Sequence, residues 1–167
     1  MPDRRNEALS RIGVGIVGCG RVTRHAHLPT LRQLDAFRVV ALCDVERASL
    51  EAAAQAAPGA RLYEEFERLL ADSAVDVVAV CVPAAVHAPL AIAAAEAGKQ
   101  LFIEKPLALT LDEADRIVEA VENRRVTATV GFNLRSHRLV QQACDVVRSG
   151  VLGQIELVRT IWTARWH

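Results

Sequence analysis

Five short and almost continuously apolar runs constrain the fold of this chain more than any other feature. They are Ile12–Gly20, Phe37–Asp44, Val75–Pro83, Lys99–Glu104 and Val126–Phe132. Strands that are covered on both faces have this pattern, whereas half-exposed strands alternate apolar and polar residues. Helix-like segments lie between the runs, and the segment that begins at Thr110 has Glu113 at the spacing of a capping box. The alternation predicts an α/β fold, a doubly wound Rossmann-type parallel sheet.

The pattern changes near Leu134. Residues 136–150 have the period of an amphipathic helix that ends at Gly150. The following residues, 153–167, resemble a long strand of mixed character that carries both tryptophans. We therefore expect residues 1–133 to form the Rossmann-type domain and residues 134–167 to begin a second, α+β domain that is truncated here.

Composition excludes several classes of partner. The chain has 20 basic and 20 acidic residues, so it has no positive surplus for nucleic acid or an acidic membrane. No run approaches the roughly 20 apolar residues of a membrane span. The four cysteines lie too far apart for a zinc motif, so we expect no metal site, free thiols and a cytoplasmic protein.

A glycine pair, Gly18 and Gly20, ends the first apolar run and opens a helix through Arg21 and Val22. In a dinucleotide fold the first glycine makes the tight turn and the second lets the backbone approach the pyrophosphate. The N–H groups at the start of the helix favour that anion. These four residues are therefore candidate cofactor ligands, although a tight turn without a ligand has the same pattern.

Asp44 ends the second apolar run, where an acidic side chain can accept hydrogen bonds from both hydroxyls of an adenosine ribose. A carboxylate there repels a 2′-phosphate, which predicts NAD in preference to NADP. Arg47 would weaken this discrimination if it folded back over the ribose. The alternative role for Asp44 is an N-cap for the helix that begins near Val45.

The motifs "GCG", "CD", "VCVPAAVH", "IEKP" and "VGFNLR" occur in this order along one Rossmann pattern. With this set the chain resembles the N-terminal half of the glucose–fructose oxidoreductase / inositol dehydrogenase / rhizopine catabolism (Gfo/Idh/MocA) family. The resemblance runs from about Ile12 to the last residue. It implies an oxidoreductase that transfers hydride between NAD(P) and a sugar, cyclitol or similar polyol.

The triplet Glu104-Lys105-Pro106 follows a predicted strand, at the edge where open α/β sheets bind ligands. Pro106 restricts Lys105 to extended backbone angles, which aims its ammonium group. A lysine accepts a proton near neutral pH when burial or a neighbouring positive charge disfavours its charged form. The resemblance makes Lys105 the catalytic residue and places Glu104 beside the cofactor. The Lys105–Pro106 bond is a candidate cis peptide.

Three histidines adjoin these motifs. We expect His25 and His27, in the first helix, to be structural. By the resemblance, Pro83 and His87 border the cofactor, although His87 can equally be a residue that only begins a helix.

By the same resemblance, Asn133 and Arg135 match an N-x-R motif that binds substrate. Family members are about twice as long, and their second domain covers the nicotinamide and supplies an Asp/His pair. We therefore expect little dehydrogenase activity from this chain alone and self-association through Ile155–Trp166. A non-catalytic dinucleotide-binding module and one half of a split enzyme remain the alternatives.

Overall fold

A computed structural model describes residues 11–161 of the chain. The described residues divide after Gly131 into two compact units. The larger unit contains the sheet and the first five helices, and the smaller one contains the last helix.

The larger unit is built on one parallel sheet. Its strands, within the described residues, are β1 Ile12–Val17, β2 Phe37–Cys43, β3 Arg61–Tyr63, β4 Val77–Val80, β5 Gln100–Ile103 and β6 Ala128–Val130. They lie in the order β3-β2-β1-β4-β5-β6, and every neighbouring pair is parallel. This is the strand order of a Rossmann fold, so the predicted fold class is confirmed.

Helices connect the strands. They are α1 Leu28–Leu31, which continues a π-helical segment Thr23–His27, then α2 Arg47–Ala54, α3 Phe66–Ala71, α4 His87–Glu96 and α5 Leu111–Arg124. The predicted capping box is confirmed at α5, where the Thr110 side chain accepts the N–H of Glu113 and the Glu113 side chain accepts that of Thr110. No helix within residues 11–161 is long and apolar enough to span a membrane.

Two elements, β3 and α3, were not predicted. β3 has only three residues, and two of them, Arg61 and Leu62, are exposed at the edge of the sheet. α3 has only six residues. Elements this short complete fewer than two periods of the apolar pattern, so local sequence does not distinguish them from loops.

Apolar side chains cover both faces of the sheet, which explains the continuous apolar runs. One cluster contains Val78, Val80 and Ile103 together with the alanines of α4 and Ile117 of α5. The other contains Ile16 and Leu42 with residues of α1 and α2. Burying one large aliphatic side chain is worth about 1.5–3 kcal/mol, so the two clusters hold the helices on the sheet.

The smaller unit contains a 3₁₀ turn, Asn133–Ser136, and helix α6, Arg138–Arg148. The predicted strand after Gly153 is wrong for residues 154–161, which have no regular secondary structure. A strand needs a neighbour for its N–H and C=O groups, and these residues pair with none within the described chain. The rest of that predicted strand, residues 162–167 with both tryptophans, lies outside the described residues.

Candidate functional site

A cleft of about 480 Å³ opens at the carboxyl ends of β1, β2 and β4. Strand order reverses between β2 and β4 on either side of β1, and such switch points are where open α/β sheets bind ligands. Four of the predicted cofactor residues line the cleft: Gly18, Gly20, Asp44 and Pro83. Its remaining walls are mostly apolar, with Val45, Phe66, Val82, Val86 and Leu90.

Gly18 makes the tight turn after β1. Its φ of +93° belongs to the left-handed region, and a Cβ there would collide with the carbonyl oxygen of Cys81. Its N–H donates to the carbonyl oxygen of Cys43 at 2.9 Å. Buried Thr23 donates its hydroxyl to the Gly18 carbonyl oxygen at 2.5 Å. The turn is therefore held by hydrogen bonds on both sides.

Gly20 differs from Gly18, because a Cβ added to it would meet no protein atom within 4 Å. Protein packing thus gives no reason for a glycine, whereas the approach of a ligand to this backbone does. Helical backbone begins at Arg21, and the first bond of the helix joins the N–H of Arg24 to the Gly20 carbonyl oxygen at 3.1 Å. The N–H groups of Arg21 and Val22 precede that bond, so they fit the pyrophosphate of a dinucleotide.

Asp44 lines the cleft and also holds the glycine loop, which is residues 18–20. One carboxylate oxygen, Oδ2, accepts the N–H of Cys19 at 2.6 Å, and Oδ1 accepts the N–H of Glu46 at 2.8 Å. The N-cap residue of α2 is Glu46, so Asp44 precedes the cap instead of forming it. Each carboxylate oxygen retains a second lone pair, which fits the hydroxyls of a ribose.

The rim of the cleft near Asp44 is acidic. Glu46 and Glu64 line it as well. Arg47 donates from Nε to Glu51 at 2.9 Å, and one of its terminal nitrogens lies 3.7 Å from Glu64. Glu51 and Glu64 therefore hold Arg47, the cation that would otherwise be able to pair with a 2′-phosphate.

His87 is buried, with 1% of its surface exposed. Its Nδ1 lies 2.8 Å from the carbonyl oxygen of Pro106, and its Nε2 lies 2.9 Å from that of Val82. It is the first residue of α4 and does not line the cleft. His87 thus joins the turn before Pro83 to the turn after β5, as a bridge between backbones.

The Glu104-Lys105-Pro106 triplet follows β5 at the same edge of the sheet. The Lys105–Pro106 peptide bond is cis, as suggested from the sequence. Lys105 is exposed, and its N–H donates to Oε2 of Glu104 at 3.1 Å. Oε1 of Glu104 lies 2.8 Å from Nε2 of His27, a residue to which sequence reasoning gave only a structural role.

The predicted substrate residues belong to the smaller unit. Asn133 and Arg135 lie in its 3₁₀ turn, and both are exposed. No three His, Cys, Asp or Glu side chains within residues 11–161 come together as metal ligands would.

Three cysteines lie around the glycine loop. Burial raises the pKa of the Cys19 and Cys81 thiols from 9.0 to about 12, and that of Cys43 to about 11. The Asp44 carboxylate adds to the rise at Cys19 and Cys43. Burial favours the neutral form of each thiol. The contribution of these neutral thiols to the stability of the fold is therefore fully present below pH 9, and it is lost as pH rises through about 11 to 12.

Comparison with known proteins reveals relatives along most of the chain. Residues 12–132 match the family model GFO_IDH_MocA, described as an oxidoreductase family with an NAD-binding Rossmann fold. The chain is 32% identical over 146 residues to a myo-inositol 2-dehydrogenase from Thermotoga maritima, an alignment that covers 87% of this chain and 43% of that protein.

Solved structures agree with this family model. The WlbA dehydrogenase from Bordetella pertussis, in complex with NADH and UDP-GlcNAcA, matches with a TM-score of 0.81 and 30% identity, over 86% of this chain and 43% of that one. A 3-ketoreductase from Actinomadura kijaniata, in complex with NADP and TDP-benzene, matches with a TM-score of 0.78 and 28% identity, over 84% and 43%. The chain thus spans less than half the length of these relatives, which include binders of both cofactors.

The thiols near the cleft should resist alkylation. At pH 8 a thiol with a pKa of about 12 is ionised about once in ten thousand molecules, and the thiolate is the nucleophile. Iodoacetamide should therefore add once to the folded chain, at exposed Cys144, and four times in urea. Intact-mass spectrometry counts the adducts, and Cys144→Ser should give none when folded. Rapid labelling of Cys19 in the folded chain would contradict this burial.

Proposed function

The chain belongs to the Gfo/Idh/MocA oxidoreductase family, and on that premise we propose that it is the cofactor-binding half of an NAD-dependent dehydrogenase. Residues 1–133 would form the NAD(P)-binding domain and residues 134–167 the start of a substrate domain. The substrate class would be a sugar, a cyclitol or a similar polyol. The observation that carries the proposal is the cleft at the switch point, with the open backbone at Gly20, next to the strand end that bears Lys105.

The adenosine diphosphate half of the cofactor has residues that suit it. The N–H groups of Arg21 and Val22 would bind the pyrophosphate, and Asp44 would accept the ribose hydroxyls. Pro83 and the apolar walls of the cleft would border the adenosine. His87 would act on the cofactor only through the backbone turns at Val82 and Pro106 that it joins.

Lys105 would act as the general base that accepts the proton of the reacting hydroxyl. NAD supplies the hydride acceptor when bound. Lys105 would receive the hydroxyl proton as hydride leaves the carbinol carbon, and Glu104 would hold the turn that aims it. Because Lys105 is exposed in this chain, the bound cofactor and substrate would have to exclude water from its ammonium group.

Asn133 and Arg135 would supply substrate contacts. A guanidinium group and a side-chain amide together offer donors for the hydroxyls of a polyol or the carboxylate of a sugar acid. The nucleotide sugar in one relative and the inositol named for another belong to the same broad class of hydroxyl-rich substrates.

A non-catalytic NAD-binding module is the second candidate. The exposure of Lys105 favours it, since an exposed lysine lacks the desolvation that a catalytic one needs. Turnover of a polyol panel by the full-length protein separates the two: a binding module gives saturable NAD binding and no reduction. If turnover appears only with a second, co-purifying chain, the enzyme is split.

NAD should bind at least about tenfold more tightly than NADP, a difference of about 1.4 kcal/mol. The acidic rim repels a 2′-phosphate. Calorimetric titration of the 167-residue chain with both cofactors measures the gap. Glu64→Gln should narrow this difference in affinity, because it removes one rim charge and one of the two carboxylates that hold Arg47. Glu65→Gln, on a carboxylate that pairs with Arg68, should leave the difference unchanged. Asp44→Ala should narrow it further but weaken both complexes, since Asp44 braces Cys19. Equal affinities of the unaltered chain for NAD and NADP would contradict the assignment of Asp44 to the adenosine ribose.

Lys105→Ala should lower kcat of the full-length protein by about a hundredfold or more, while the Kd for NAD stays within about threefold. Lys105→Arg keeps the positive charge but cannot give up its proton, so it should be nearly as slow. Stopped-flow hydride transfer and NAD titration measure the two effects separately. A Lys105→Ala enzyme with unaltered rates would reduce this lysine to a surface residue.

We further propose that the smaller unit mediates self-association. Large apolar side chains are exposed along α6 and the residues after it, including Leu139, Val151, Leu157 and Ile161. Exposed apolar residues that follow one another in this way favour contact with another chain.

Light scattering should show the 167-residue chain as a dimer or larger species, and a chain ending at Phe132 as a monomer. Leu157→Ser with Ile161→Ser should shift the longer chain toward the monomer, because it removes two of the most exposed apolar side chains. A 167-residue chain that is strictly monomeric at about 100 μM would contradict the proposed self-association.

A further inference from the structure

The hydrogen-bonded pair of His27 and Glu104 joins two parts of the site that are 77 residues apart in sequence. Nε2 of His27 lies 2.8 Å from Oε1 of Glu104, and only about a fifth of each side chain is exposed. The His27 ring also packs edge-on against Phe102, with centroids 5.3 Å apart and planes at 73°. Both the position of the ring and its hydrogen bond are therefore determined by the end of β5.

Glu104 transmits this contact to Lys105. Its second carboxylate oxygen accepts the N–H of Lys105 at 3.1 Å, and its own N–H donates to the Val80 carbonyl oxygen at 3.0 Å. Gly131, at the neighbouring strand end, leaves room for this carboxylate, since a Cβ there would lie 3.5 Å from it. With one oxygen on His27 and the other on Lys105, the carboxylate has little freedom to turn.

His27 belongs to the helical segment that starts at the glycine loop. Helical backbone runs without interruption from Arg21 through His27 into α1. Thr23, on its first turn, is buried and bonded to Gly18. The end of this segment that would bind phosphate is thus linked to residues 104–106, the Lys105 turn, through the contact between His27 and Glu104.

We propose that His27 is a positioning residue, which acts through Glu104 to hold the Lys105 turn and to couple that turn to the bound dinucleotide. The inference rests on the proposed function for its kinetic consequence but not for its structural one. Removing His27 leaves a partly buried carboxylate without its partner, so Glu104 turns toward water and releases the Lys105 N–H. Binding of the dinucleotide to the helical segment that begins at Arg21 then no longer restricts the turn at Lys105.

Hydrogen exchange at the Lys105 amide tests the structural link in the 167-residue chain. His27→Leu keeps bulk against Phe102 but loses the donor, and Lys105 should exchange about tenfold faster. His27→Gln, whose amide can still reach Glu104, should stay near the unaltered rate. His25→Leu is the matched control, on an exposed histidine of the same segment, and should change nothing. NAD should slow exchange at Lys105 in the unaltered chain and in His27→Gln, but not in His27→Leu.

The Ile103 amide, within β5, reports whether each variant is folded. If His27→Leu does not fold, His27→Asn, whose shorter side chain falls short of Glu104, takes its place with the same expected result. Equal exchange at Lys105 in the folded variants and the unaltered chain would overturn the proposal.

Kinetics of the full-length protein provide the second readout. His27→Leu should lower kcat by about tenfold and leave the KM for NAD within about twofold, and His27→Gln should restore most of the rate. A purely structural histidine would instead affect both parameters or neither, and that outcome would also overturn the proposal. Absence of turnover in the unaltered protein would refute the proposed function, while the exchange result would still decide the role of His27.

Discussion

Parallel pairing of β1 with both β2 and β4 is the constraint on which the rest of the structure depends. It brings the carboxyl ends of these strands to one edge and sends the following helices to opposite faces, which leaves a cleft between them. Gly18, Asp44 and Pro83 are distant in sequence, yet each directly follows a strand or its terminal turn. The sheet therefore assembles the site.

Side chains from one loop hold the backbone of another throughout this edge. Asp44 accepts the N–H of Cys19, His87 lies between two backbone carbonyls, and Glu104 joins His27 to Lys105. Loops at a ligand site cannot be buried, so cross-links of this kind give them the order that packing gives the core. A residue such as Asp44 consequently both holds a loop and lines the cleft, so changing it alters the loop geometry and the cleft wall together.

Local patterns along the chain predicted the fold well, because an apolar run or a capping box is itself the physical cause of the element. Thr110 and Glu113 form the capping box that their spacing indicates. β3, with three residues at the edge, has too little pattern to be recognised. The strand expected after Gly153 failed for a different reason, since no strand within the described residues lies beside it to pair with its N–H and C=O groups.

The sequence by itself determined the strand and helix alternation, the glycine turn and the chemical groups at each strand end, because these depend on neighbours in the chain. Tertiary structure alone decided what those groups contact. His27 had no local signal beyond its place in a helix, and its partner is 77 residues away. The position of Arg47 likewise depends on Glu64, which only the folded chain brings beside it, whereas Glu51 lies four residues along the same helix.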